Sequence, residues 1–262
     1  RALGRAEDAR RALVLHGQYG PRWPALEDEV LARVVALKDD ARAQVRTGMK
    51  LADRGDLQGA ITAHEAALAR DPSLAHAHAN LISLFGRARN WAKAEEHYRA
   101  VVALDFNLGD AHYDYGVLLG LQEKWDLAAE AYGQALAVNP LHAPAHNNLG
   151  QILENQRNLA DAAREYGLAV ESQPGFRLAR FNLGRMLIAL GRPGDATVEL
   201  EKLVEPRDAE APRYLFALGV AHLRAGRRGE GVKWSMEAGR LALEFGQQDL
   251  AAAIDRDLAS LR

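Results

Sequence analysis

The stretch Pro-Ala-His-Asn-Asn-Leu-Gly, residues 144–150, places a proline, a histidine and two asparagines ahead of a Leu-Gly pair. The same phrase recurs on either side as His-Ala-His-Ala-Asn-Leu-Ile ending at Ile82, Asp-Ala-His-Tyr-Asp-Tyr-Gly ending at Gly116 and Leu-Ala-Arg-Phe-Asn-Leu-Gly ending at Gly184, a period of 34 residues. A fixed period of this length is the signature of a stacked repeat, in which each unit buries its apolar face only against its neighbours.

Frames starting at residues 41, 75, 109, 143 and 177 align the repeat. The eighth position holds Gly48, Ile82, Gly116, Gly150 and Gly184, the twentieth holds Ala60, Ala94, Ala128, Ala162 and Ala196, and the thirty-second holds Pro72, Phe106, Pro140, Pro174 and Asp208. A sixth unit, shifted by one residue, starts at 212 and carries Leu218-Gly219 and Gly231 at the matching places. Each frame contains two stretches with apolar residues at helical spacing, such as residues 145–156 and 159–172, divided by a short polar turn. That pattern predicts a helix hairpin. Small residues suit a close crossing of its two helices, and the proline ends the second helix because it lacks an N–H donor. Tyr98, Tyr132 and Tyr166, at the twenty-fourth position, are expected to supply bulk toward the next pair.

Composition does not choose between one large core and a row of small units, but it excludes several chemistries. The 262-residue chain is 48% apolar and 26% charged, and its net charge of −2 lacks the basic excess of a nucleic-acid groove. Its longest apolar stretch, residues 30–37, is interrupted by Arg33, so no membrane span is expected. The absence of cysteine removes disulfides, thiolate metal sites and thiol nucleophiles. The chain begins at Arg1 without a methionine or a signal-like apolar segment, so it is expected to be a processed product or a fragment, and its location, cytoplasmic or exported, is left open. No nucleophile with a convergent base, phosphate cradle or metal constellation stands out, so the chain is expected to be neither an enzyme nor a cofactor binder.

With its Leu-Gly, Ala and Pro positions, the chain resembles the tetratricopeptide repeat family. The resemblance covers residues 41–245 as six repeats, with a degenerate helical repeat at 1–40 and a capping helix at 246–262. In the degenerate unit Trp23 is in register with Leu57, Trp91 and Trp125, but Leu26 replaces the small residue and Pro21 and Pro24 crowd the turn. The capping helix carries Leu250, Ile254, Leu258 and Leu261 on one stripe. The resemblance implies an all-α, right-handed α-solenoid superhelix whose first helices line a concave groove, with positions two, five, six, nine, twelve and thirteen of each unit facing inward.

On those positions the resemblance puts Asn80, Asp114, Asn148 and Asn182 in a ladder along the groove. An amide both donates and accepts, so such a ladder suits the backbone of an extended peptide; the alternative is an idle, solvated face. Tyr113, Gln151, Phe181, Arg185 and Phe216 complete the expected peptide-binding set. The inward residues run from acidic (Asp110, Asp114, Glu154) to apolar and basic (Leu178, Phe181, Arg185, Arg213, Phe216, Arg224). Capture of a free C-terminal carboxylate fits poorly, because Asn148 and Arg185 suit it whereas Tyr113, Val117 and Phe181 do not.

His78, His112 and His146 share the fourth position, and His142 and His146 have the i, i+4 spacing of a helical zinc pair. Adjacent helices lie about 8 to 10 Å apart, too far for ligands on separate repeats to share one ion at roughly 2 Å. Structural histidines using one ring nitrogen for a local bond are expected, with no metal. The function that follows is a scaffold binding an extended peptide or a helix of a protein partner. The alternatives are a structural solenoid that self-associates through its ends, or an accessory module of a larger exported protein; exposure of Val14, Val30 and Val34 would favour stacking.

Overall fold

The computed structural model describes residues 29–105 and 107–261. All regular structure in them is helical: α1 (Glu29–Asp53), α2 (Leu57–Arg70), α3 (Ala75–Arg87), α4 (Trp91–Leu104), α5 (Gly109–Leu121), α6 (Trp125–Val138), α7 (Ala143–Asn155), α8 (Leu159–Ser172), α9 (Arg177–Ala189), α10 (Pro193–Glu201), α11 (Ala211–Arg224), α12 (Arg228–Glu244) and α13 (Gln248–Ser260). Thirteen helices lie among the described residues. The chain divides into two compact units, residues 1–106 and 107–262. In the first, α1 packs on α2, α2 on α3 and α3 on α4; in the second, each helix from α5 to α13 packs on the next, and α9 also meets α11. Each unit is thus a stack of antiparallel hairpins of the α-solenoid class. Trp23, Leu26 and Val14, with the side chains of Val30 and Val34, lie outside the described residues; α1 runs through residue 40 without a break.

Local chemistry explains the period. Asp71, Asn139 and Gln173 close α2, α6 and α8 in extended or near-extended backbone and each precedes a proline, the geometry that the proline ring imposes on its predecessor. Their N–H groups still bond to the carbonyls four residues back, so the helix ends without an orphaned donor. Within each hairpin the turn carries one left-handed residue, at Gly55, Arg89, Glu123, Arg157, Gly191 and Gly226. The next residue caps the second helix where its side chain allows: Asp56, Asn90 and Asn158 accept from the N–H groups of Gly59, Lys93 and Asp161. Asn90 is therefore a helix cap.

The twentieth-position alanines are fully buried at all five places, as close helix crossings require. The eighth-position glycines have a more specific cause. A Cβ on Gly116 would lie 2.6 Å from the Tyr132 ring, one on Gly150 would lie 2.9 Å from Tyr166, and one on Gly184 would lie 2.6 Å from Leu200. Where the eighth residue is glycine, the twenty-fourth residue therefore fills a notch over it within the same hairpin. Tyr132 and Tyr166 were expected to supply bulk toward the next pair; their rings close their own hairpins, the Tyr132 hydroxyl reaches onward to Asn148 on α7, and the Tyr166 hydroxyl stays within its hairpin on Glu154. At the C-terminal end Leu250, Ile254 and Leu258 of α13 pack with Ala238 and Leu241 of α12, while Asp255, Arg256 and Asp257 stay exposed. This is the expected cap.

Candidate peptide-binding groove

The site is built in the second unit by the first helices of its hairpins, α5, α7, α9 and α11. Asn148, half-buried on α7, directs its amide NH2 to the hydroxyl of Tyr132 at 3.3 Å and toward that of Tyr113 at 3.5 Å. Its carbonyl oxygen accepts from Asn147 Nδ2 at 3.2 Å, and Asn147 Oδ1 accepts from Asn182 Nδ2 at 3.1 Å. The sixth-position amides are thus joined across α9, α7 and the α5–α6 hairpin by a network in which Asn147 is the link. Asn182 is only 9% exposed. The expected open ladder of free amides is instead a partly buried chain of hydrogen bonds that holds consecutive repeats in register. Asn80, half-buried on α3, belongs to the first unit.

Asp114 takes the same position on α5. Burial, and then the nearby Asp110 carboxylate, push its carboxyl up to about 7. Burial likewise raises the Tyr113 hydroxyl, and that of Tyr132 to about 12, so both remain donors near neutrality. Gln151, one helical turn after Asn148, is exposed and shares an open hollow with Asn148, Val117 and Trp125.

The acidic-to-basic gradient expected along the inward face is altered by pairing. Glu154 and Arg185 meet at 2.7 Å, and the Tyr166 hydroxyl donates to the second Glu154 oxygen at 2.9 Å. Arg185 and Arg213 both lie over the Phe181 ring, at 5.7 and 5.4 Å from its centre, and Phe181 meets Tyr214 at 5.1 Å. Arg213 also pairs with Glu210. Phe216 stands apart from this cluster: it packs toward Leu215, Leu241 and Ile254 under the C-terminal cap. The structure therefore joins Asn148 and Gln151 around one hollow, sets the Tyr113 hydroxyl against the Asn148 amide, links Asn182 to Asn148 through Asn147, and sets Phe181 and Arg185 together.

Asn155, Leu121 and Trp125 were missed from sequence. Asn155 occupies the thirteenth position, one of those the family resemblance turns inward, and that rule alone could have found it.

The fourth-position residues form a second recurring device. His146 presents Nδ1 to Glu165 at 2.8 Å and Nε2 to the Pro140 carbonyl at 3.0 Å. With an acceptor at each nitrogen the imidazolium is favoured, and the Glu165 hydrogen bond raises the His146 pKa. Arg180, its counterpart on α9, bonds to Glu199 and to the Pro174 carbonyl in the same way. In the first unit His78 donates from Nε2 to the Pro72 carbonyl at 3.2 Å, so its Nδ1 accepts from His97 Nδ1 at 2.8 Å. Burial first, then His78, lower His97 to about 4. These side chains latch a second helix to the end of the preceding repeat. His78 and His146 use both ring nitrogens, where one was expected. His142 caps α7 by accepting from the Ala145 N–H at 3.1 Å, which breaks up the apparent zinc pair. Among the described residues no group of three or more His, Asp or Glu side chains is placed to hold a metal, and no helix is long and apolar enough to cross a membrane.

The tetratricopeptide repeat family model matches residues 45–108, 118–175 and 155–208. The chain belongs to the tetratricopeptide repeat family. No curated protein sequence matches it. Solved structures with the same fold include PilF of Pseudomonas aeruginosa, 21% identical, covering 81% of this chain and 98% of that one with a TM-score of 0.68. They also include PilW, described as a type IV pilus biogenesis factor, at 19% identity, 82% and 97% coverage and a TM-score of 0.66. YrrB, described as a tetratricopeptide repeat protein with an unusual peptide-binding site, is 19% identical over 74% of this chain and 97% of its own, with a TM-score of 0.62. In this tetratricopeptide repeat chain the family's small-residue positions are thus the notches and crossings described above.

Proposed function

We propose that the chain is a protein-binding scaffold that takes an extended segment or a helix of a partner protein along α5, α7, α9 and α11. The observation that supports this most directly is the division of labour on α7. Asn148 is committed to internal hydrogen bonds, whereas Gln151 and Asn155 lie exposed on the same stripe and their amides have no hydrogen-bond partner among the described residues. Free amides beside the aromatic surface of Trp125 provide donors, acceptors and apolar area on a rigid support. A rigid support lowers the ordering cost of association. Family membership, and the peptide-binding site named for the fold relative YrrB, point the same way. In this reading residues 41–245 act as six repeats, 246–262 as their cap and 1–40 as a degenerate unit.

A photo-cross-linking residue at Gln151 is expected to capture partner protein, whereas one at Glu171, exposed on the second helix α8, is not. Capture from Glu171 alone would move the working surface off the groove. Cross-links between copies of the chain would favour the self-associating solenoid.

A further inference from the structure

Asn155, at the C-terminal end of α7, stands between two hollows of opposite character. One, of ≈ 250 Å³, is walled by Val117, Leu121, Trp125, Tyr132 and Ile152. It is open at Leu121 and Trp125, which are 63% and 47% exposed. The other, of ≈ 410 Å³, is bordered by Glu154, Arg157, Arg185 and Met186. Glu154 neutralises Arg185 there, and the Arg157 side chain has no partner among the described residues, so this second hollow carries one uncompensated positive charge. Arg157 is fixed in the turn by a left-handed backbone (φ 64) and its N–H bond to the Glu154 carbonyl.

The two hollows belong to consecutive repeats, whose packed helices are spaced by about 8 to 10 Å. An extended chain advances about 3.3 Å per residue, so three residues span that distance. We infer that the groove selects an extended partner segment bearing a large apolar side chain and, three residues away, an aspartate or glutamate. The apolar side chain enters between Leu121 and Trp125, the carboxylate meets Arg157, and Asn155 and Gln151 bond to the backbone between. The inference rests on the scaffold reading above and assigns its partner chemistry: complementary charge in one hollow, apolar contact in the other. It excludes the lysine- or arginine-rich partner that Asp110 and Asp114 alone would suggest.

The full chain is panned against a phage-displayed library of random dodecapeptides, and enriched peptides are synthesised and titrated by fluorescence anisotropy. The expected peptides share an apolar residue and an acidic residue three apart. Leu121→Ser and Arg157→Glu, both at exposed positions, are expected to weaken them about tenfold each with unchanged thermal unfolding. Replacing the peptide's acidic residue by lysine is expected to restore binding to Arg157→Glu. Enriched peptides lacking the acid, or insensitive to both substitutions, would overturn the inference while leaving the groove reading to the Gln151 cross-link. A library yielding no binder would overturn it as well.

Discussion

At the scale of single residues, the notch over Gly116 sets the sharpest limit. Adding a methyl group to a helical glycine ordinarily gains about 1 kcal/mol of helix propensity. Here that methyl would lie 2.6 Å from the buried Tyr132 ring, and the ring cannot retreat because its hydroxyl bonds to Asn148. Overpacking wins, and Gly116→Ala is expected to lower stability by about 1 to 3 kcal/mol in chemical denaturation. In a Tyr132→Ala background the same change should cost little, since the two residues share one contact. Asp114 gives a prediction with a pH signature. Its folded pKa of about 7 lies above the unfolded value of about 3.9, so the folded state retains a proton that the unfolded state has released. Its contribution is full below about pH 4 and is lost as pH rises through 7. Asp114→Asn is therefore expected to melt close to wild type at pH 4 and above it at pH 8; equal differences at both would mean that the carboxyl is not held in its acid form.

At the scale of helices and turns, the repeat tolerates some strain and forbids other changes. Glu123 occupies the left-handed turn position that glycine fills in three other hairpins. A side chain there costs about 1 to 2 kcal/mol, partly offset because glycine loses more entropy on folding. Glu123→Gly is expected to raise stability by roughly 0.5 kcal/mol. Ala128, wholly buried where α5 and α6 cross, permits no such freedom. Ala128→Leu must either force the helices apart or empty the Tyr132 notch, and a loss of about 1 to 3 kcal/mol is expected by thermal unfolding. An unchanged melting temperature would contradict the assigned crossing.

At the scale of the molecule, the histidines decide whether metal enters the stability of the chain. His78 and His146 have both ring nitrogens engaged within the protein, and His142 uses one as a helix cap. A transition metal would have to break a latch between consecutive repeats before gaining a ligand. Chelation with EDTA is therefore expected to leave the melting temperature unchanged. A rise on adding zinc would point to a site assembled between separate chains.

What the sequence determined was the repeat: the 34-residue period, the invariant alanine, the proline stops and the capping stripe of α13 follow from local preferences and helical spacing. It also singled out Asn148 and Gln151, which tertiary packing brings around one hollow, and Tyr113, whose hydroxyl faces the Asn148 amide. It could not show which polar groups are already spent. Asn182 and Asn147 bond across 35 residues and Arg185 and Glu154 across 31, so a side chain that looks free in one repeat is satisfied by the next. In the sequence Trp125 served only as a register marker, and Asn155 was not singled out. Their place at the mouth of the hollows depends on how far neighbouring hairpins stand apart. That distance is fixed by the Asn148–Tyr132 and Asn147–Asn182 hydrogen bonds and by the bonds of His146 and Arg180 to the carbonyls of Pro140 and Pro174, contacts that exist only after the repeats have stacked.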